Sequence, residues 1–152
     1  EALKSRLPHR LQQFFATLRQ RAALPQYGEG APCDALSVLI VGAGPVGLRT
    51  AIELTLLGAR VTVTESRARF SRLNVLHLWD WVETDLTELG FKALDPSCFS
   101  AAEYKHMSSA QLQHSLLKVA LLLGARVQLR CPVQDLRSLA RLGYTAGGRY
   151  TP

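Results

Sequence analysis

The feature that most narrows the fold is a glycine-rich hexapeptide, Gly42-Ala43-Gly44-Pro45-Val46-Gly47, set between an apolar run and an amphipathic segment. The run before it, Leu36-Ser37-Val38-Leu39-Ile40-Val41, has the length and composition of a buried parallel strand. The segment after it, Leu48 to Leu57, reads as a helix with Leu48, Ile52 and Leu56 facing inward, and Gly58 stands where a helix end wants a positive φ. Arg60-Val61-Thr62-Val63-Thr64 follows as a second strand rich in β-branched residues. A strand, a turn, a helix and a strand of these lengths make one right-handed βαβ unit. The predicted fold is therefore α/β, a Rossmann-like FAD/NAD(P)-binding domain.

Each part of the turn has a physical task. Gly42 permits the tight exit from the strand, Gly44 lets the backbone approach a pyrophosphate, and Gly47 lets the helix pack close to the sheet. Unpaired N–H groups at the helix start and the helix dipole favour a diphosphate there. Glu65, about twenty residues on, closes the second strand and is placed to accept hydrogen bonds from the ribose hydroxyls of an adenosine. It would repel a 2′-phosphate, which argues against NADP in this site.

The fingerprint does not separate FAD from NAD. The residues after Glu65 do: Ser66-Arg67-Ala68-Arg69-Phe70-Ser71-Arg72-Leu73-Asn74 places three arginines and an asparagine beside the ribose-binding acid. A cofactor crossing the sheet edge meets this stretch with its phosphates and ribityl chain, and the guanidinium fork suits phosphate oxygens.

Around this unit the chain divides into a basic amphipathic helix over 1–24, a linker over 25–35, the partial nucleotide-binding domain over 36–138 and an irregular tail over 139–152. In the first piece Leu3, Leu7, Leu11, Phe14 and Leu18 recur at helical spacing, Pro8 marks a kink or a first turn, and Lys4, Arg6, Arg10, Arg19 and Arg21 fall largely off that stripe, as on the solvated face of a packing helix or, alternatively, on a helix for a membrane surface or a partner. The second piece is marked by two prolines and two glycines between Pro25 and Asp34. Further on, Ser108 and Gln111 form a capping box ahead of a helix with Leu112, Leu116, Val119, Ala120 and Leu123 on one face and Gly124 as its stop. Arg126 to Arg130 reads as a third strand; Glu65 to Met107 is less regular. The opening falls within a helix-like pattern and is expected to be a cut, with no secretory leader.

Composition adds exclusions. With 47% hydrophobic and 20% charged residues the chain is globular in type, and no apolar run is long enough to span a bilayer. Cys33, Cys98 and Cys131 are odd in number and scattered, as expected of free thiols in a reducing compartment, and neither they nor His9, His77, His106 and His114 have metal-ligand spacing. The net charge of +6 suits an acidic partner, and equally a phosphate-binding piece of a larger neutral protein.

Two strings carry a more specific signal: Val41-Gly42-Ala43-Gly44-Pro45-Val46-Gly47-Leu48-Arg49-Thr50-Ala51-Ile52-Glu53-Leu54, and Phe70-Ser71-Arg72-Leu73-Asn74-Val75-Leu76-His77-Leu78-Trp79. With Gln111-Leu112-Gln113 and Leu117-Lys118-Val119-Ala120-Leu121-Leu122-Leu123-Gly124, they resemble the flavin monooxygenase domain of the MICAL family. The resemblance runs from about residue 2 to about residue 136. It implies an aromatic-hydroxylase-like FAD enzyme that uses NADPH and oxygen to oxidise methionine on actin, disassembling filaments and releasing hydrogen peroxide.

Carried over by position, Gly42, Gly44, Val46 and Gly47 would meet the pyrophosphate, and Glu65 the ribose with Ser66 and Arg67 beside it. Arg72, Leu73 and Asn74 would line the path to the flavin. Catalytic residues are not assignable, a metal is not expected, and the NADPH site lies outside this chain. The implied partner is the actin filament, not nucleic acid; the implied location is cytoplasmic and cytoskeletal, with the nucleus as a second compartment. Trp81 is expected to pack, while Trp79 is open between packing and stacking on the flavin.

The chain departs from the family pattern at Val46, usually cysteine, at Leu73, usually polar, at Asp80-Trp81, usually Pro-Phe, and at Ala110, usually a cofactor-holding arginine. Two other readings stay open: a non-catalytic remnant acting through protein contacts, and an ordinary NAD-binding module, against which the Asn74–Trp79 string speaks.

Overall fold

The computed structural model describes residues 7–30, 32–72, 74–94 and 106–135. Its centre is the βαβ unit. Strand β1 (Ser37–Val41), helix α2 (Pro45–Leu56) and strand β2 (Arg60–Thr64) follow one another, and the strands pair in parallel from Ser37 opposite Arg60 to Val41 opposite Thr64. Strand β5 (Arg126–Gln128) pairs in parallel with the other edge of β2, giving the order β1-β2-β5. Central β2 is buried from Val61 to Thr64. Strand β1, expected to be buried, is only half-buried, and Val41 is exposed. Among the described residues β1 pairs on one side only, with β2.

Helix α1 (His9–Ala22) starts later than the apolar spacing suggested. Pro8 is its N-cap residue, where a missing N–H costs nothing, and its carbonyl accepts from the N–H groups of Leu11 (2.9 Å) and Gln12 (3.1 Å). Residues 1–6, with Leu3, lie outside the described residues. Phe14 and Leu18 enter the core. Arg21 does not belong to a solvated face. Its side chain is 11% exposed and pairs with Asp85 (2.8 Å) and Glu88. The Pro- and Gly-rich stretch after α1 is ordered in part: Pro25–Gly30 form a 3-10 turn. Tyr27 anchors it, its ring buried and its hydroxyl shared between Arg21 Nε (3.1 Å) and Glu53.

The middle of the chain, without clear periodicity in sequence, holds β3 (Val75–His77), α3 (Asp80–Glu88), α4 (Phe91–Leu94) and β4 (His106–Ser108). Strands β3 and β4 pair antiparallel, with His77 opposite His106. The Asn74–Trp79 string therefore builds one strand of a small second sheet.

Helix α5 (Ser109–Leu123) is capped as its sequence required: Ser108 Oγ accepts from the Gln111 N–H at 3.1 Å, and Gly124 takes φ 104°. Its Leu112, Leu116, Val119 and Ala120 join Leu48, Ala51, Ile52 and Leu56 of α2 in one core. The third strand is shorter than the Arg126–Arg130 run. The tail over 139–152 and Cys98 lie outside the described residues.

Candidate dinucleotide site

A parallel sheet delivers its carboxyl ends to one edge, and ligands of such sheets bind in the crevice beyond that edge. Here three chain segments leave β1, β2 and β5 and fold over one another. Gly42 N–H donates to Thr64 O (2.7 Å), Glu65 N–H to Gln128 O (2.9 Å), and Cys131 N–H back to Glu65 O (2.9 Å). Arg130, at φ 56°, takes the left-handed conformation needed for that return. Between the segments lies a cleft of about 380 Å³, bordered among others by Gly42, Gly44, Glu65, Arg67, Arg72 and Gln113.

The glycines divide the work. Gly42 sits at φ 104°, a backbone state that disfavours side chains. At Gly47 a Cβ would lie 2.1 Å from the Gly42 carbonyl oxygen, so α2 could not approach β1 so closely with any other residue. Gly44 differs from both. Its φ of −70° and ψ of 172° suit any residue, and a Cβ there would meet nothing within 4 Å. The fold does not require glycine at this position, and the missing side chain leaves the turn open. Pro45 opens α2 without an N–H to waste, and the N–H groups of Val46 and Gly47 belong to the first turn, where helices leave donors unpaired.

Glu65 is 9% exposed. Its carboxylate accepts from the Arg67 N–H (2.9 Å), the Ala43 N–H (3.1 Å) and the Ser66 hydroxyl (3.2 Å). Burial pushes the carboxyl upward, but those hydrogen bonds and the Arg67 charge outweigh it and hold the group below the usual glutamate range. An ionised carboxylate thus stands at the back of the cleft, with exposed Arg67 and Arg72 at its border. The residues present fit an adenosine diphosphate: donors and positive charge for the phosphates, an acceptor for ribose hydroxyls, and an open side at Gly44.

Of the residues singled out in sequence, Gly42, Gly44, Glu65, Ser66, Arg67 and Arg72 border this cleft. Val46 and Gly47 sit at the adjoining helix start; the Val46 side chain, 81% exposed, faces an apolar hollow bordered by Trp81 and Leu112. Asn74 stands apart, its carbonyl accepting from the Ser109 N–H (2.7 Å) and hydroxyl (3.0 Å). Leu73 lies outside the described residues. Trp81, expected to pack, is 72% exposed, because Asp80 starts a new helix and turns the ring outward. Trp79 is exposed as well, edge-on to His77 at 6.2 Å. Sequence reasoning missed Gln113, Cys131, Pro132 and Val133 as cleft residues. A glutamine on a leucine-rich stripe was the available signal for the first; the other three follow a strand whose exit path no local pattern specifies.

Comparison with known proteins agrees with this geometry. The family model described as "FAD binding domain" matches residues 35–75. In fold the chain is similar to FqzB, with a TM-score of 0.58 and 19% identity over 70% of this chain and 31% of that one. It is similar also to CtdE in complex with FAD, with a TM-score of 0.56 and 18% identity over 66% of this chain and 31% of that one. Fold and family model together define an FAD-binding domain with the fold that FqzB and CtdE share.

In sequence the chain is 56% identical over 107 residues to the F-actin monooxygenase Mical of Drosophila melanogaster, which is 70% of this chain and 2% of that protein. It is 47% identical over 135 residues to the protein-methionine sulfoxide oxidase mical3b of Danio rerio, 88% of this chain and 8% of that protein. The chain belongs to the MICAL family and spans a small fraction of the length of these relatives.

Proposed function

We propose that this chain supplies the adenosine-diphosphate cradle of a MICAL-type flavin monooxygenase. In the whole protein NADPH and O2 are consumed and methionine sulfur on actin becomes sulfoxide: one oxygen atom goes to sulfur, the other leaves as water, and NADPH is oxidised. The observation that carries the reading is the open side of Gly44, facing a cleft whose back is an ionised Glu65. The close kinship with proteins named F-actin monooxygenase and protein-methionine sulfoxide oxidase supports the substrate.

Bound FAD supplies the redox chemistry; this chain's residues bind and orient it. The N–H groups of Val46 and Gly47, with the dipole of α2, hold the diphosphate. Glu65 takes the ribose hydroxyls, and Ser66 steadies that carboxylate from beside it. Arg67 and Arg72 neutralise phosphate charge. Actin filaments are the partner, and the cytoskeleton of the cytoplasm, with the nucleus as a second compartment, is the place of action. Among the described residues no helix is long and apolar enough to cross a membrane.

One feature favours the second reading, a non-catalytic remnant acting through protein contacts. Ala110, in the first turn of α5, offers no cation where the family resemblance puts an arginine. The two readings part on one experiment. The full-length protein is purified, its flavin content is read from the visible spectrum, and actin is analysed by mass spectrometry after incubation with NADPH. Bound FAD and oxidised actin methionine are expected; a flavin-free protein that leaves actin unmodified would establish the remnant.

A further inference from the structure

We propose that Gln113 is a positioning residue for the cofactor diphosphate: it fixes the peptide plane between Ala43 and Gly44, so that the glycine turn presents donors, not a carbonyl, to the cleft. The inference deepens the FAD-binding reading and rests on it.

Gln113 lies on α5, seventy positions from the turn in sequence, and is 5% exposed. Its neighbours on that helix face are Ser109, Leu116, Leu117 and Ala120, all apolar but Ser109. Packing alone would favour another apolar residue there, since a buried amide costs stability unless it is hydrogen-bonded. It is bonded: Gln113 Nε2 donates to Ala43 O at 3.1 Å, and the side chain borders the cleft.

The consequence follows from peptide geometry. In a trans peptide the carbonyl and the next N–H point in opposite directions. Anchoring Ala43 O to α5 therefore turns the Gly44 N–H away from α5. The preceding plane is fixed in the same manner. Gly42 O faces the start of α2, close to Gly47, and the Ala43 N–H on the opposite side of that plane donates to Glu65 Oε2 at 3.1 Å. Both planes flanking the fully buried Ala43 are thus held by side chains, Glu65 on one and Gln113 on the other. Without Gln113 the Ala43 carbonyl becomes a buried acceptor with no donor, and rotation of its peptide toward the cleft relieves that cost. A carbonyl dipole would then face an anionic diphosphate. Gln113 organises the anion site without touching the anion.

The test uses the full-length protein and two variants. Gln113→Met keeps the volume and removes the donor; Gln113→Glu keeps the shape and sets an anion against the carbonyl. Two readouts are taken: the FAD dissociation constant by flavin fluorescence, and amide hydrogen exchange in the ligand-free protein. The expected result is FAD binding weakened about tenfold by Gln113→Met, the scale of one lost hydrogen bond, and more by Gln113→Glu. Exchange should accelerate at 42–47 and stay unchanged along α5 and β2. Parental affinity in Gln113→Met, or faster exchange spread through the whole core, would overturn the assignment. If Gln113→Met does not fold, Gln113→Glu and the parent decide: fast exchange of the Gln113 side-chain amide in the parent sinks the proposal. Failure of the parent itself to bind FAD would instead strike the site reading, while the ligand-free exchange data would still judge Gln113.

Discussion

Gly44 and Gly47 stand in one turn and answer to different demands, which separates folding from binding at single residues. A side chain at Gly47 would collide with the Gly42 carbonyl, whereas one at Gly44 would enter free space. Gly47→Ala is therefore expected to destabilise the ligand-free domain by about 1–3 kcal/mol, the usual cost of forcing atoms into a packed contact. Gly44→Val should leave ligand-free stability within about 0.5 kcal/mol and abolish FAD retention. Urea unfolding of the apoprotein and the visible spectrum of the purified protein give the two answers. Stoichiometric flavin in Gly44→Val would remove the diphosphate from this turn.

Beside the ribose role proposed for it, Glu65 has a structural one, because its carboxylate holds the N–H groups of Ala43 and Arg67. Glu65→Ala should weaken FAD by about 1–3 kcal/mol and also loosen the ligand-free turn. Its folded-state pKa lies below the unfolded value, so its contribution is complete above the ordinary glutamate range. That contribution is lost as the pH falls through the lower folded value. Stability of the ligand-free protein should thus decline on acidification below about pH 4.3, with a shallower decline in Glu65→Ala. Parallel acid profiles for the two proteins would show that Glu65 is not held this way.

Among the elements, α1, α2 and α3 are joined by charge rather than by apolar contact alone. Asp85 of α3 accepts from Arg21 of α1 at 2.8 Å and from both Nε and Nη2 of Arg49 on α2, each at 2.9 Å. Glu53 pairs with Arg49 and with the Tyr27 hydroxyl. Burial pushes the Asp85 carboxyl up, yet the hydrogen bonds and charge of Arg49, then of Arg21, hold it below the usual range. Asp85→Ala takes one carboxylate partner from each of two largely buried guanidinium groups, leaving Glu88 and Glu53, and should cost about 1–3 kcal/mol in urea unfolding. The loss should be smaller in an Arg49→Met background, where one of the two no longer needs a partner. Equal losses in both backgrounds would dissolve the network into independent surface pairs.

This cluster was not legible in the sequence, since Arg21 and Asp85 are 64 positions apart and no local period links them. Nor was the pairing of β3 with β4, three-residue strands without alternation. What could be read is what local chemistry dictates: β2 with its β-branched residues, α2 behind its glycines, and α5 between Ser108 and Gly124. At the site, the glycine turn and Glu65 were readable because sequence spacing places them. Gln113 was not, because its partner Ala43 lies across the fold.

At the scale of the whole molecule the prediction is that residues 1–152 alone do not oxidise NADPH. Strand β1 carries the glycine turn, yet among the described residues only β2 pairs with it. On the flank of α2 lies an apolar hollow of about 770 Å³, bordered by Val46, Leu54, Trp81 and Leu116. Exposed apolar surface of this kind marks a place where more protein packs. The cleft holds groups for an adenosine diphosphate, while the Trp79 and Trp81 rings stand in solvent. A site with one end built binds FAD weakly, because the flavin end contributes ordering cost without contacts. Adding FAD and NADPH to this span, with and without filamentous actin, and following the nicotinamide absorbance is the direct measurement. The expected rate equals that of free flavin in both cases. A higher rate that Gly44→Val abolishes would mean that this span completes the flavin site by itself.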